Sequence, residues 1–172
     1  MRSVKYLYIN VKGENMSQFE KYHPILTPHY TFDWLTKVRV IDVFNLYQAS
    51  AAATTMEATA AQINHIMREI FHDHQLIWGV SDRTTNTFVG QVGFAPIDTT
   101  NHTATLTVNL ISTYQQTAVL TEILARLVAF GTVELKLQQL TLVLSQPNSV
   151  LDQVMSRLNF VTQDHLTFNY RQ

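Results

Sequence analysis

The sequence predicts a mixed α/β (α+β) domain in which helices pack a sheet. Three observations carry that prediction. Apolar residues alternate with period two in several short segments and recur at helical spacing in others. The segments come in the order strand, two helices, three strands, helix, strand, helix, strand, which calls for a mixed sheet with helical connections. No Gly/Ser-rich, Pro-rich or charge-block tract separates them, so all 172 residues read as a single domain, with residues 1–26 as an N-terminal extension.

The first strand is Tyr30-Thr31-Phe32-Asp33-Trp34, where ring and polar residues alternate, and a helix follows through Asp42, Val43, Phe44 and Leu46. Thr54-Thr55-Met56-Glu57 reads as a capping box opening a longer helix, the Thr54 hydroxyl and the Glu57 carboxylate each satisfying an orphan backbone N–H. Met56, Ala60, Ile63, Met67, Ile70 and Phe71 form its core-facing stripe. Leu76–Val80 and Phe88–Phe94 make a hairpin across Ser81–Asn86, and Ala104–Leu110 is a third strand. It runs into the polar turn Tyr114-Gln115-Gln116, beyond which Val119, Ile123, Leu124, Leu127, Val128 and Phe130 mark a helix. A strand feeding a tight turn and a helix suits an anion. Leu140–Ser145 is the next strand, and Pro147-Asn148-Ser149 starts a short helix. Asn159 takes the left-handed position after it, where glycine is usual, and Leu166, Phe168 and Tyr170 alternate in the last strand.

Composition excludes several function classes. Zero cysteines leave no disulfide framework, thiolate nucleophile or Cys-ligated zinc, and a cytoplasmic protein is the simplest expectation. The first ten residues lack the apolar run and cleavage site of a signal peptide, and no apolar run approaches the ~20 residues of a membrane helix. Charged residues are only 15% of the chain and net charge is −1. No basic face is offered to phosphates, so no nucleic-acid partner is expected.

Thr27-Pro28-His29-Tyr30-Thr31-Phe32, Phe88-Val89-Gly90-Gln91-Val92-Gly93-Phe94, Thr121-Glu122, Asn148 and Leu158-Asn159-Phe160 stand in a recognisable order. From Thr27 to Phe160 that order and spacing resemble the GNAT acetyltransferases, in the branch of ribosomal-protein N-acetyltransferases and spermidine acetyltransferases. The resemblance implies a mostly antiparallel GNAT sheet of about seven strands flanked by helices, splayed between the strands at 104–110 and 140–145. It implies acetyl-CoA as cosubstrate, with the pantetheine arm in the splay along Asn109, Leu110 and Ile111. It further implies a cofactor-binding set of Leu110, Gln115, Gln116, Thr117, Ala118, Val119, Leu120, Thr121 and Asn148. The acceptor would be a primary amine: a protein N-terminus, a polyamine or a small metabolite.

In the family, backbone N–H groups at a helix start meet the pyrophosphate, where the helix dipole favours negative charge. The family pattern Gln/Arg-x-x-Gly-x-Gly/Ala becomes Gln115-Gln116-Thr117-Ala118-Val119-Leu120 here, with no glycine and no basic residue. Hydrogen bonds to ionised groups are worth ~1.5–3 kcal/mol, so losing one or two predicts cofactor binding weakened by about one to three orders of magnitude. Catalytic side chains are sparse as well. Strand Thr105–Leu110 has no carboxylate, the tyrosine that many members use as acid corresponds to Met155, and the serine of the ribosomal-protein branch corresponds to Leu151.

The resemblance leaves Glu57 and Asn148 as candidate catalytic residues. Glu57 reads equally as half of a capping box, and Asn148 as a helix N-cap with Ser149 and Asp152 as an alternative box. The other reading of the whole chain is a non-catalytic GNAT-fold module for CoA binding or protein interaction. Tyr6, Leu7, Tyr8, Ile9 and Val11 offer a partner or homodimer surface, an extra strand being the plainer reading. His72-Asp73-His74 with His65 lacks a third metal partner at fixed spacing, and no metal site is expected.

Overall fold

The computed structural model describes residues 17–50 and 54–172. Its elements are β1 (Ile25–Leu26), β2 (Tyr30–Asp33), α1 (Val40–Ser50), α2 (Met56–Phe71), β3 (Leu76–Asp82), β4 (Phe88–Asp98), β5 (Thr103–Leu110), α3 (Thr117–Ala129), β6 (Gln139–Val143), α4 (Ser149–Arg157), β7 (Val161–Thr162) and β8 (Thr167–Arg171). The strands make one sheet in the order β1-β2-β3-β4-β5-β6-β8-β7. Every pairing is antiparallel except β5 with β6. The expected element order stands, and the sheet has eight strands because β1 and β7, two residues each, are too short to show a period. The N-terminal strand expected around Tyr6–Val11 lies outside the described residues.

Strand alternation separates two layers. Trp78, Phe94 and the edge of Phe130 just beyond α3 meet on one face, the Trp78–Phe130 centroids being 5.3 Å apart. On the other face Tyr47 of α1 reaches Gln91, and Leu35 and Val38 lie against Gly79. Helices α1 and α2 therefore cover one side of the sheet, and α3 with α4 the other. The described part of segment 1–26 belongs to this core: Phe19 is fully buried, and the Trp78 Nε1–H donates to the Tyr22 carbonyl at 2.8 Å.

Helix α2 departs from its sequence reading in a physically simple way. Its cap is Thr55, whose side chain accepts from the Ala58 N–H at 3.0 Å, and not Thr54. Glu57 thereby falls one position too early to close a capping box. The buried stripe is Thr59, Ile63, Ile66 and Ile70, while Met56 and Phe71 are 42% and 48% exposed. Thr59 can face the core because its hydroxyl is satisfied by the Thr55 carbonyl at 2.8 Å. The end of α4 follows expectation: Asn159 has φ 66°.

The two glycines of β4 let its neighbours approach. A Cβ on Gly93 would stand 2.1 Å from the Leu76 carbonyl oxygen, and one on Gly90 2.4 Å from the Asn109 oxygen, both backbone atoms that cannot swing aside. Gly93→Ala is therefore expected to cost about 3 kcal/mol in urea denaturation, the upper end of the overpacking range. A loss under about 0.5 kcal/mol would show that β3 and β4 separate freely.

Candidate active site

The β5–β6 ladder runs from Thr103↔Gln139 to Leu106↔Leu142 and stops, although β5 continues to Leu110. The Ile111 N–H donates to the Val89 carbonyl at 2.9 Å. By alternation, odd-numbered residues of β5 bond to β4, and even-numbered ones face β6. Past Leu106, the Val108 N–H and C=O and the Leu110 N–H consequently open onto the gap. The Leu110 carbonyl is taken by the Gln115 Nε2–H at 2.8 Å. Val108, which the sequence reading did not single out, is thus the first free backbone donor of the splay; only strand parity and the end of the ladder reveal it.

Helix α3 starts beside this gap without a cap. Gln116 is its N-cap residue, but no side chain bonds to the first turn, in contrast to α2 and α4. The first helical bond is Leu120 N–H to Gln116 C=O at 2.9 Å, so the N–H groups of Thr117, Ala118 and Val119 have no acceptor among the described residues. Gln116 turns its amide back to the Thr113 carbonyl, and the Thr121 hydroxyl goes to the Thr117 carbonyl. No residue from Ile111 to Thr121 has positive φ, and Gln116 sits at φ −110°. The loop therefore keeps its donors without needing glycine for its backbone.

A cavity of about 180 Å³ fills the splay, lined by Val108, Asn109, Leu110, Gln115, Leu120, Asn148 and Leu151. Leu120, 3% exposed, points into it and packs the base of the loop. The Asn148 Oδ1 accepts from the Val150 and Leu151 N–H groups, both at 3.1 Å, which makes Asn148 the cap of α4. The alternative box is not formed, because the Asp152 carboxylate accepts from the His165 Nδ1–H at 2.7 Å. Capping uses the Asn148 oxygen, and its amide nitrogen has no hydrogen-bond partner among the described residues, so the two readings of this residue are compatible. Ile111 does not line the splay; it lies in a separate cavity of about 350 Å³ with Arg39, Asp42, Asn45, Asn86, Thr87 and Phe88. That larger cavity has the charges of Arg39 and Asp42, beside the first turn of α1, paired at 2.9 Å.

The model of the acetyltransferase (GNAT) domain matches residues 28–161, most of the chain. The chain belongs to the GNAT acetyltransferase family. Its fold is similar to a Vibrio cholerae protein described as a ribosomal-protein-serine acetyltransferase, with TM-score 0.72 and 18% identity over 87% of this chain and 97% of that one. It is also similar to the ribosomal-protein-S5-alanine acetyltransferase of Vibrio fischeri, with TM-score 0.72 and 12% identity over 86% and 96% of the two chains. The spermidine N-acetyltransferase of Vibrio cholerae, solved with CoA and spermine, gives TM-score 0.70 and 14% identity over 83% and 95%. At these identities the likeness is one of fold. No curated protein matches the chain.

Within this GNAT domain, Met155 is fully buried and Leu151 borders the cavity, so both side chains, which the resemblance aligns with family acids, serve apolar packing. Glu57 is exposed in the first turn of α2 and is not among the cavity residues. The structure instead shows a neutral polar patch under α1. Tyr47 donates its hydroxyl to Gln91 Oε1 at 2.6 Å, and the Asn109 amide donates to Ser50 at 3.0 Å. Burial pushes the Tyr47 phenol above its ordinary range and outweighs the bond to Gln91. Thr107, on the same face of β5 as Asn109, has a buried hydroxyl with no partner among the described residues. No sequence motif marks these residues; they meet only through strand register.

The GNAT loop is tied to the opposite end of the sheet by Glu122. Its Oε1 accepts from the Thr27 hydroxyl at 2.6 Å and the His29 N–H at 2.8 Å, and its Oε2 from the His29 Nδ1–H at 2.7 Å. Partial burial raises the Glu122 pKa, but these bonds outweigh it and hold the carboxyl below its ordinary value.

Two outcomes follow from the site. A carboxyl with a lowered folded pKa stabilises above the unfolded pKa and loses that contribution as pH falls through the folded value. Glu122→Gln is therefore expected to show a shallower loss of stability than wild type as pH drops below about 4.5; equal slopes would show that the pair is idle. Thr107→Val, which removes a buried unpaired hydroxyl without changing shape, is expected to stabilise the protein by about 1 kcal/mol in denaturant titration.

Proposed function

We propose that this GNAT domain is an acetyl-CoA-dependent N-acetyltransferase acting on a primary amine. The observation that carries the reading is the uncapped first turn of α3 beside the open edge of β5. Three free N–H groups there suit a diphosphate, and a strand with unpaired polar groups suits a pantetheine arm. The residues fit the cosubstrate: Thr117, Ala118 and Val119 would hold its diphosphate through the backbone, Leu110 and Leu120 would bound its arm, and Asn148 would present an amide to its acyl end. Acetyl-CoA, when bound, supplies the activated acetyl thioester.

The chain's own contribution is positional. The Val108 N–H is the donor available to a developing oxyanion, a role in which a single preorganised donor is worth roughly 3–4 kcal/mol. Among the described residues no carboxylate or imidazole lines the cavity, so the acceptor amine would enter neutral and lose its proton to water, with rate supplied by proximity. The polar patch of Tyr47, Gln91, Asn109 and Thr107 is uncharged, which favours a protein N-terminus or a small neutral amine over a polyamine cation. Zero cysteines accord with a reducing, cytoplasmic setting. A second reading, a non-catalytic CoA-binding module, is favoured by the buried Met155 and the leucine-filled cavity.

Thr117→Pro tests the site cleanly. Proline suits the first helical position, and the extended Gln116 before it accepts proline without strain. The variant should keep the wild-type melting temperature while acetyl-CoA binding, read by calorimetry, weakens about 10- to 100-fold for the loss of one charge-assisted bond. Unchanged affinity would move the diphosphate elsewhere. Binding without turnover on a panel of peptides and amines would favour the module.

A further inference from the structure

The C-terminal end of α2 carries a second constellation, away from the splay. Glu69, His72 and His74 present ligand atoms that all lie within 4.8 Å of one another. Sequence spacing pairs His72 with His74 and offers no third donor; the backbone supplies it. After Phe71 the chain bonds back on itself, His72 N–H to the Arg68 carbonyl and Asp73 N–H to the Ile70 carbonyl, each at 3.0 Å. Asp73 then turns left-handed, with φ 60°. The turn returns His74 over the helix end, where its N–H donates to the Glu69 carbonyl at 3.0 Å and its Nδ1–H to Glu69 Oε2 at 2.8 Å.

This reversal is held from both sides. The Ser17 hydroxyl shares its one hydrogen between the Ile70 carbonyl at 2.9 Å and Asp73 Oδ1 at 2.6 Å, and the Ile97 N–H of β4 donates to the His74 carbonyl at 2.9 Å. The ring centroids of His72 and His74 are 5.8 Å apart. Only the side-chain torsions of half-buried Glu69 and exposed His72 and His74 remain to be ordered, which lowers the cost of gathering them around a ligand.

We propose that Glu69, His72 and His74 bind a late first-row divalent cation of the zinc, nickel or copper(II) type. Two imidazoles and one carboxylate are a borderline donor set that suits these ions, whereas magnesium and calcium prefer oxygen ligands throughout. Metal–ligand bonds of about 2.0–2.2 Å bring donors to about 3.5 Å apart, so the three groups close inward by rotation alone. The cation takes the place of the proton now shared between Glu69 and His74. His65, one turn earlier on the helix, is the nearest further imidazole.

The test uses the full chain without an affinity tag, stripped with chelator, titrated with zinc chloride by calorimetry and with cobalt chloride by visible absorption. The expected result is saturable micromolar binding of one ion per chain. Binding should weaken roughly tenfold or more in each of His72→Ala, His74→Ala and Glu69→Gln, and stay unchanged in His102→Ala. Because the Glu69–His74 bond also belongs to the fold, His72→Ala is the deciding variant: no hydrogen bond in the described fold uses its ring. Zinc should raise the melting temperature of wild type but not of His72→Ala, and magnesium should raise neither. Absence of saturable zinc binding, or binding that both histidine variants retain, overturns the proposal.

Discussion

The point where β5 and β6 stop pairing organises the molecule. Four residue pairs of parallel ladder hold the strands together, and beyond Leu106 the side chains of Leu110, Leu120 and Leu151 occupy the widening space from β5, α3 and α4. Apolar burial thus props the gap open from the helix side while β4 grips β5 across nearly its whole length, a grip that requires the bare backbone of Gly90. Backbone groups that pairing would have consumed are left facing the cavity. The same divergence sets the start of α3 beside them, since only a short loop joins the end of β5 to that helix.

The site that results is built from backbone and neutral side chains. Its donors are the first-turn N–H groups of α3, the Val108 N–H and the Asn148 amide, and its walls are leucine. Glycine is dispensable because no residue of the loop adopts a left-handed conformation, and a methyl group on helical Ala118 leaves the N–H direction unchanged. Leu120, which the resemblance aligns with a small family residue, is buried at the base of the loop and forms part of the cavity wall. What the loop lacks is positive charge, and that costs Coulomb attraction while leaving the hydrogen-bond geometry in place. On the proposed reading, binding would rest on preorganised dipoles, which a helix start supplies at little entropic cost.

Much of the fold was legible because it rests on local regularities. Period-two alternation marked β2 to β6 and β8, and Asn159 announced its left-handed turn by type alone. The errors were also local. Thr54 and Thr55 offer the same hydroxyl one residue apart, and the second caps α2, whose buried face includes Thr59 and Ile66. The site was half legible. Leu110, Gln115, Leu120 and Asn148 do line one cavity, but Glu57 lies apart from it, and Val108, Thr107 and Tyr47 carried no signal, because their significance comes from strand parity and cross-strand register.

By itself the sequence determined the order of elements, the family pattern and the absence of an ionisable group along β5, since each depends on residue type and spacing along the chain. Tertiary structure decided which backbone groups are free, which side chain caps each helix, and which distant residues meet: Glu122 with His29, Tyr47 with Gln91, Glu69 with His74 across a left-handed turn. Those outcomes depend on where a ladder ends and how a chain reverses. Both follow from the summed packing of the whole core, a quantity no local window of sequence contains.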